Sequence, residues 1–364
     1  MKVGILTFHA SHNYGSMLQA YALQHTLTEL GVENEIINFR SDIQKSLIEP
    51  PLDIRHPRSS LSKFVRKPSE TILLMKKYKR FEKFLNKDLN VGKEINLSEQ
   101  IPSYIAGGKF DAIITGSDQI WNPGCWDFDM CYFADFAFNG KRIAYAPSLG
   151  SNPDEIPANT IESIQTAINR YDSISTREMR GLNFLSKITN KPVDVVVDPT
   201  LLLNDEDYCN IAYDKLNIQK PYILYYTPRE ESGYFDKAKE LSNLTGLDIL
   251  VTQEYLEYRD SRIIRRLDCG PREFLTLIKN ASYTIGNSFH LLAFSLIFKK
   301  EFYLLSSGAD SRMMNILEPL GLQDRLIIDN AIHILSPIQY SNVEPILANA
   351  REKSLNYLYT ALYS

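Results

Sequence analysis

The 364-residue chain is poor in cysteine and lacks long apolar runs. Its four cysteines are scattered without a CxxC pair, which excludes a disulfide framework and argues against zinc or thiol-redox sites. No run of about 18 apolar residues occurs, so no membrane-spanning helix is expected. The apolar stretch at residues 3–8 is too short for a secretory signal. These features predict a cytoplasmic protein. The cysteines are Cys125, Cys131, Cys209 and Cys269.

A strong charge of either sign is also missing. The 40 basic and 44 acidic side chains leave a net charge of -4, so no overall attraction to nucleic acid is expected. No GxxxxGK[ST] motif occurs, no GxGxxG follows the first apolar run, and no His/Cys/Asp group has metal-ligand spacing. Nicotinamide, P-loop and metallohydrolase chemistry are therefore disfavoured, and neither a metal nor a bound cofactor is expected.

What the chain does contain is an alternation of short apolar runs and helical patterns, typical of parallel sheets with helices on both faces. In the first 200 residues, strands are expected at 3–8, 35–39, 110–115, 142–146, 171–175 and 193–197, and helices at 15–30, 71–86, 158–169 and 178–187. After a connection at 198–220, strands are expected at 222–226, 248–251, 283–285 and 301–305, and helices at 232–244, 271–280, 290–299, 311–320 and 341–360.

The length and this connection predict two domains, since roughly 150 residues make one. We expect an N-terminal Rossmann-like domain at residues 1–200 and a C-terminal one at 201–364, and leave open whether the last helix packs back on the first domain. The expected fold class is α/β and GT-B-like, with two Rossmann-like domains facing each other across a cleft. This is a fold-level analogy and does not by itself specify chemistry. Residues 41–100 are the least regular part, and a basic helix there is interpreted as a solvated face.

Polar side chains follow two strands of the first half, where ligands of open α/β sheets bind. One loop leads through Asn13 into a helix whose N-terminus can hold an anion or a sugar hydroxyl. In the other loop, three side chains can hydrogen-bond vicinal hydroxyls and Trp121 can stack on a pyranose, as can Trp126 further along. A helix N-cap beside a buried Trp is the alternative explanation. The expected acceptor-binding residues are Asn13, Asp118, Gln119, Trp121 and Asn122.

Two further loops carry ionisable side chains. Arg177 stands at the start of an expected helix, where a cation opposes the helix dipole unless an anion shares the site. The neighbouring Glu178 offers a structural alternative, because it offsets that charge. His290 opens a helix directly after a strand, within reach of Asn287 and Ser288. A single histidine is most often structural, but this position at a strand's carboxyl end indicates a functional role.

Six stretches together carry a family resemblance over nearly the whole chain except residues 41–100. They are ILTFHASHNYGSMLQAYAL (5–23), FDAIITGSDQIWNP (110–123), SISTREMRGLNFL (173–185), VDPTLLL (197–203), PREFLTLIKNASYTIGNSFHLLAFSLIFKKEFYLL (271–305) and SRMMNILEPLGLQDRL (311–326). At these stretches the sequence resembles the polysaccharide pyruvyl transferase family. The resemblance implies a GT-B-like transferase that moves the enolpyruvyl unit of phosphoenolpyruvate onto two hydroxyls of a sugar, forming a cyclic pyruvate ketal.

The sequence departs from the family pattern around His290. Family members have either an Arg two residues before the His or the run Asp-Ser-Phe-His-Gly. Here Asn287 replaces the Asp and Leu291 replaces the Gly. An altered donor pocket, a different donor or a lost activity therefore remain alternatives.

The residue chemistry agrees with this reaction. The donor is anionic, so its site needs cations and helix N-termini, which Arg177, Arg312 and the turn at Asn287 and Ser288 would supply, with Ser311 beside Arg312. His290 would carry the proton transfer, since a histidine has an ordinary pKa near neutral pH.

The other classes kept open are a GT-B glycosyltransferase that uses a nucleotide sugar and an inactive saccharide-binding relative. The partners implied by the resemblance are phosphoenolpyruvate and a saccharide acceptor, a precursor of a bacterial cell-surface polysaccharide or exopolysaccharide. Whether the acceptor is lipid-linked, and whether the protein contacts the inner face of the membrane, is left open. The sequence does not specify an oligomeric state.

Overall fold

The computed structural model describes residues 1–52, 62, 64–150, 152–213, 215–216, 218, 220–253, 261–308, 311–328 and 331–364, without the side chain of Ser311. These residues form two compact units. Unit 1 comprises Met1–Ile48, Leu85–Leu203 and Leu347–Ser364, and unit 2 comprises Glu49–Phe84 and Asn204–Ile346. A single division at residue 200 does not describe this exchange of segments, because residues 49–84 group with the second half of the chain and residues 347–364 with the first.

Each unit has one parallel sheet, with six strands among the described residues. In unit 1 the strands are β1 (Lys2–Leu6), β2 (Glu33–Ile36), β3 (Ala112–Thr115), β4 (Lys141–Ala144), β5 (Ser173–Thr176) and β6 (Val193–Val195), in the order β2-β1-β3-β4-β5-β6. In unit 2 they are β7 (Tyr222–Tyr226), β8 (Asp248–Val251), β9 (Ile263–Arg265), β10 (Tyr283–Gly286), β11 (Glu301–Leu305) and β12 (Leu326–Ile327), in the order β12-β11-β10-β7-β8-β9.

The helices connect these strands. They are α1 (Tyr14–Glu29), α2 (Asp42–Ser46), α3 (Pro68–Lys87), α4 (Ile101–Ile105), α5 (Ala158–Ile168), α6 (Met179–Ile188), α7 (Asp205–Ile211), α8 (Tyr234–Thr245), α9 (Pro271–Asn280), α10 (Phe289–Ile297), α11 (Ser311–Leu320) and α12 (Tyr340–Tyr363). Single 3₁₀ turns lie at Ser98–Gln100, Met130–Phe133, Pro153–Glu155, Pro199–Leu202 and Gln323–Arg325. The predicted α/β class with two Rossmann-like domains is confirmed.

The strands in the middle of each sheet are buried along their whole length. Every residue of β3 (AIIT) and of β7 (YILYY) is buried. Such near-continuous apolar runs are typical of parallel strands covered on both faces. The absence of alternating polar residues in these segments therefore indicates that the strands are central. One apolar core surrounds Ile113 and Trp121 in unit 1, and a second surrounds Ile285 and Tyr303 in unit 2.

A glycine ends a central strand, or directly follows it, in both sheets. A Cβ on Gly116, after β3, would lie 2.0 Å from the carbonyl oxygen of Tyr145 at the end of neighbouring β4. A Cβ on Gly286, the last residue of β10, would lie 1.8 Å from the carbonyl oxygen of Tyr226 on neighbouring β7. Both positions exclude any larger residue, because the backbones approach too closely. The loops that follow these glycines carry most of the candidate site residues.

All strands and helices expected from the sequence are confirmed, with ends shifted by a few residues. The sequence interpretation missed the strands β9 and β12 and the helices α2, α4 and α7. Helix α7 lies in the stretch interpreted as a connection, although it carries a clear start signal: Asn204 Oδ1 accepts hydrogen bonds from Glu206 N and Asp207 N, and Asp207 Oδ2 accepts one from Asn204 N. Strands β9 and β12 have three and two residues, too few for a period-two pattern.

The basic helix α3 is not simply a solvated face, contrary to the sequence interpretation. Within unit 2, Arg80 pairs with Asp268 at 2.7 Å and with Glu273 at 3.1 Å. Arg265 likewise pairs with Glu70 on α3 at 2.8 Å. These ion pairs hold part of α3 against the loop and helix that follow β9, and they account for some of the charge in the segment 41–100.

Candidate functional site

The first candidate residue, Asn13, caps helix α1. Its Oδ1 accepts hydrogen bonds from Gly15 N at 2.8 Å and from Ser16 N at 3.3 Å. This satisfies two of the amide groups that have no partner inside the helix. The side-chain oxygen is therefore used for capping.

Asp118 connects this helix start to the loop after β3. Ser16 Oγ donates a hydrogen bond to Asp118 Oδ2, and Gln119 N donates one to Asp118 Oδ1 at 2.8 Å. The residue has a left-handed backbone with φ of 63°, a conformation that Asp tolerates better than most side chains. Its carbonyl oxygen accepts a hydrogen bond from Ser148 N at 2.8 Å, which ties the loops after β3 and β4 together. Asp118 is half-buried and fixed by these contacts.

Gln119 and Asn122 are held to each other. Asn122 Nδ2 donates to Gln119 Oε1 at 2.9 Å, and Asn122 Oδ1 accepts from Gly124 N at 2.9 Å. A Cβ on Gly150 would lie 2.4 Å from Asn122 Nδ2, so the loop after β4 passes directly over this amide. Both side chains are half-buried, and the structure places them in one rigid loop with Asp118.

Trp121 belongs to the core of unit 1, so the stacking role predicted for it is wrong in this structure. The side chain is fully buried, its ring stacks on Phe133 with centroids 4.7 Å apart, and its Nε1 donates to the Tyr132 carbonyl at 2.9 Å. No ring face remains for a sugar. Trp126 in the same loop has an exposed fraction of 85% and is the indole that solvent and ligands can reach.

We expect Trp121→Phe to lower the free energy of unfolding by about 1–3 kcal/mol and to leave saccharide kinetics unchanged. The phenyl ring keeps an aromatic contact with Phe133, but the buried carbonyl of Tyr132 loses its donor. Chemical denaturation of this variant and of Trp126→Phe as the exposed control measures the difference. A raised acceptor KM without loss of stability in Trp121→Phe would contradict the core assignment.

Arg177 forms the centre of a buried charge cluster in unit 1. Its NH1 lies 2.8 Å from Asp198 Oδ2, and the two side chains are 3% and 0% exposed. Ser117 Oγ donates to the same carboxylate oxygen at 2.9 Å, while Thr200 supplies two hydrogen bonds to Oδ1. Burial opposes the guanidinium charge, but the carboxylates of Asp198 and Glu178 outweigh it and raise the pKa of Arg177.

The cation at this helix start is explained by protein carboxylates. Helix α6 begins at Met179, so Arg177 precedes the N-cap residue Glu178 and lies 3.5 Å from its carboxylate. Ser148 Oγ donates to Glu178 in turn. Arg177 was predicted to act on the donor, and this role stays a prediction; in unit 1 its guanidinium pairs with Asp198 and Glu178.

Sequence reasoning missed four members of this cluster, although a common signal marks them. Each directly or closely follows a strand of the order β3-β4-β5-β6, whose carboxyl ends lie at one edge of the sheet. Polar residues after short buried strands therefore identify the edge. The missed residues are Ser117, Ser148, Asp198 and Thr200.

In unit 2, His290 lies in the first turn of α10, at the carboxyl end of β10. It is nearly buried, and its ring meets Phe289 edge to face with centroids 5.3 Å apart. Ser288 is the N-cap and accepts a hydrogen bond from Leu291 N at 3.3 Å. Asn287 Nδ2 donates to the carbonyl of Arg229 at 2.7 Å, which joins the loops after neighbouring strands β10 and β7. The structure thus brings Asn287, Ser288 and His290 together as predicted from their sequence positions.

Leu291 and Arg312 complete the description of this edge. Leu291 is fully buried, and its Cδ2 would lie 3.0 Å from a Cβ on Gly286, so the side chain fills the core beneath the β10 loop. Arg312 is half-buried on α11. This helix follows β11, the strand that pairs with β10, and it contacts α10. The side chain of Ser311 lies outside the described residues.

Two absences hold for the described residues. There, no group of three or more His, Cys, Asp or Glu side chains is arranged to hold a metal ion. Among the helices that the structure describes, none is both long and apolar enough to cross a bilayer.

Solved structures share the fold of this chain at very low sequence identity. A putative UDP-N-acetylglucosamine 2-epimerase from Listeria monocytogenes is 10% identical with a TM-score of 0.52, and the match covers 98% of this chain and 90% of that one. The UDP-N-acetylglucosamine 2-epimerase of Methanocaldococcus jannaschii, solved with UDP-N-acetylglucosamine and UDP, is 13% identical with a TM-score of 0.52 and full coverage of both chains. These likenesses concern the fold alone.

A search of curated proteins found no significant match. The sequence profile described as polysaccharide pyruvyl transferase, in contrast, matches residues 13–308. This range contains Asn13 at its first position, the whole charge cluster around Arg177, and His290. The chain therefore belongs to the polysaccharide pyruvyl transferase family.

Proposed function

We propose that this protein transfers the pyruvyl group of phosphoenolpyruvate to two hydroxyls of a saccharide and forms a cyclic pyruvate ketal. The observation that carries the proposal is the arrangement in unit 2. There His290 begins a helix after β10, and Arg312 follows the adjacent parallel strand β11. A proton-transfer group and a cation thus follow neighbouring strands at one sheet edge, as an anionic enol-phosphate donor requires.

The reaction balances without a further reactant. A proton adds to the methylene carbon of the donor while one acceptor hydroxyl forms a bond to the adjacent carbon and gives up its proton. The second hydroxyl then forms a bond to the same carbon as the carbon–oxygen bond to phosphate breaks, and its proton leaves with the inorganic phosphate. The products are the ketal and phosphate, and the proton count needs only one group that can both give and take a proton. We assign this role to His290.

Binding of the donor is assigned to unit 2. Phosphate and carboxylate groups favour helix N-termini, where backbone amides point outward, and favour guanidinium side chains. Helix α10 supplies the first feature through its capped start at Ser288, and Arg312 supplies the second. Asn287 is neutral where the family has a carboxylate, which removes a repulsion against an anionic donor. Leu291 fills space in the core, so it does not occupy the surface of the β10 loop.

The acceptor is assigned to unit 1 and is a saccharide, free or lipid-linked. The proposed product is a pyruvylated precursor of a cell-surface polysaccharide, made in the cytoplasm. No bound cofactor enters the proposed reaction, since phosphoenolpyruvate is itself the donor.

Release of inorganic phosphate from phosphoenolpyruvate tests the proposal. We expect release only when a saccharide is present, together with a saccharide product whose mass corresponds to a pyruvate ketal. Nucleotide release from a nucleotide sugar under the same conditions would identify a glycosyltransferase instead. Saccharide binding without turnover of either donor would identify a binding protein, and both outcomes contradict the proposal.

A further inference from the structure

A cavity of about 170 Å³ opens within unit 1 beside the loop that follows β1. Its volume holds about six water molecules, which is space for one sugar ring rather than an oligosaccharide. Its lining comes from that loop, from the end of β2 and helix α2, and from the segment after Trp126. The lining residues are Thr7, Phe8, His9, Ala10, Ser11, His12, Phe39, Gln44, Leu47, Ile48, Asp127 and Tyr132.

The polar side of the cavity is held in place by hydrogen bonds. The two ring nitrogens of His9 contact the Thr7 carbonyl at 3.0 Å and Asn38 Oδ1 at 2.9 Å. Gln44 Nε2 donates to Tyr132 OH at 2.7 Å. Ser11 Oγ is buried and has no hydrogen-bond partner among the described residues. Because this oxygen has almost no accessible surface, the polar contacts of a ligand are assigned to the half-buried side chains of Gln44 and Asp127.

The charge of the cavity favours a neutral ligand over an anionic one. No Lys or Arg is among its lining residues, and its one carboxyl group is Asp127. Burial, followed by the nearby charge of Asp118, raises the pKa of Asp127. Burial also lowers the pKa of His9, which keeps that ring neutral. Phosphoenolpyruvate, with its phosphate and carboxylate, would find no counter-charge here.

The cavity also has apolar lining residues. Phe8 and Phe39 are buried against Tyr132, with ring centroids 5.0 and 5.9 Å from the Tyr132 centroid, so these rings form the base beneath the cavity. Leu47 is exposed and Ile48 is half-buried, so these two side chains supply the apolar surface that a ligand can reach. Apolar side chains together with hydrogen-bonding groups match a pyranose, which has apolar C–H faces and a polar rim.

We propose that this cavity binds one neutral pyranose residue of the acceptor, with its hydroxyls toward Gln44 and Asp127 and its apolar face toward Leu47 and Ile48. This inference rests on the proposed function, because the bound sugar is an acceptor only if the protein transfers a pyruvyl group to it. It moves sugar recognition away from Trp121 and onto residues at the end of β1 and on and just after α2. The exposed Trp126, directly before Asp127, stands next to this lining in the chain.

The binding test uses intact protein and neutral 4-nitrophenyl β-pyranosides of glucose, galactose and mannose, with the glucuronide as the anionic probe. Calorimetry is expected to show binding of at least one neutral probe and weaker binding of the glucuronide. Leu47→Glu places a carboxylate in the apolar surface and should weaken the neutral probe roughly tenfold or more, because the charge loses water on binding. Leu47 is 60% exposed, so this variant should fold normally.

Ile43→Glu is the matched control. Ile43 lies on α2, the helix that Leu47 directly follows. It is 53% exposed and does not line the cavity, so the affinity of Ile43→Glu for the probe should equal that of the unmodified protein. Absence of binding by every neutral probe, or equal binding by Leu47→Glu and Ile43→Glu, would overturn the inference.

The two proposals fail separately. Probe binding that Leu47→Glu abolishes, in a protein that never releases phosphate from phosphoenolpyruvate, supports the cavity and contradicts the pyruvyl transfer. Ketal formation with an acceptor KM that Leu47→Glu leaves unchanged supports the transfer and overturns the cavity assignment.

Discussion

His290→Ala should lower turnover by about a hundredfold or more, the usual contribution of a general acid or base. The substitution removes the imidazole from the first turn of α10 but leaves the cap intact, because Ser288 Oγ bonds the backbone of Leu291. We therefore expect the protein to keep its fold and its affinity for phosphoenolpyruvate. Turnover is measured by phosphate release with saturating acceptor, and donor affinity by calorimetry.

His333→Ala serves as the control, since His333 is exposed in the same unit and its backbone carbonyl, which the substitution keeps, accepts the hydrogen bond from Tyr303 OH. This control should retain full turnover. The pH dependence of turnover separates a chemical from a structural role of His290. His290→Ala should lose one limb of the pH–rate profile, whereas the unmodified enzyme and His333→Ala should share the full profile. Full turnover in His290→Ala would remove the proton-transfer assignment.

The fold was predictable from sequence because its central strands are locally encoded. The segments of β3 and β7 are buried throughout, and turn residues or a helical pattern follow each of them. Such strands can therefore be located from the neighbouring sequence alone. The same reasoning located His290, because it lies at a junction between a strand and a helix that neighbouring residues indicate. Asn287 and Ser288 are neighbours in sequence, so their proximity followed directly.

The errors concern contacts between distant parts of the chain. Nothing near Arg177 in the sequence indicates that Asp198 will reach its guanidinium from the loop after the next strand. The burial of Trp121 depends on its contacts with Phe133 and Tyr132. These two residues lie in an irregular segment whose sequence shows no periodic pattern. The exposed Trp126, five residues later, has a similar local composition around it. Burial of aromatic loop residues therefore required the packed structure.

The same non-local contacts make Arg177 the position with the largest expected effect on stability. Arg177→Ala should lower the free energy of unfolding by about 3–5 kcal/mol, the usual cost of removing one partner of a buried ion pair. The substitution would remove the guanidinium from the fully buried carboxylate of Asp198. Glu178, 1% exposed, would lose its cation as well. Urea denaturation followed by intrinsic fluorescence measures the change.

Arg170 provides a matched comparison, because it pairs with Asp135 at 2.6 Å on the surface, with side chains 47% and 32% exposed. Arg170→Ala should cost at most about 1 kcal/mol, since solvent screens an exposed pair. Arg177→Lys separates the charge from its geometry, because an ammonium group keeps the charge but cannot form the two-sided contact of a guanidinium. The stability of this variant should fall between that of the unmodified protein and that of Arg177→Ala. If Arg177→Ala were as stable as Arg170→Ala yet had lost affinity for phosphoenolpyruvate, the guanidinium would serve the donor and the internal assignment would be wrong.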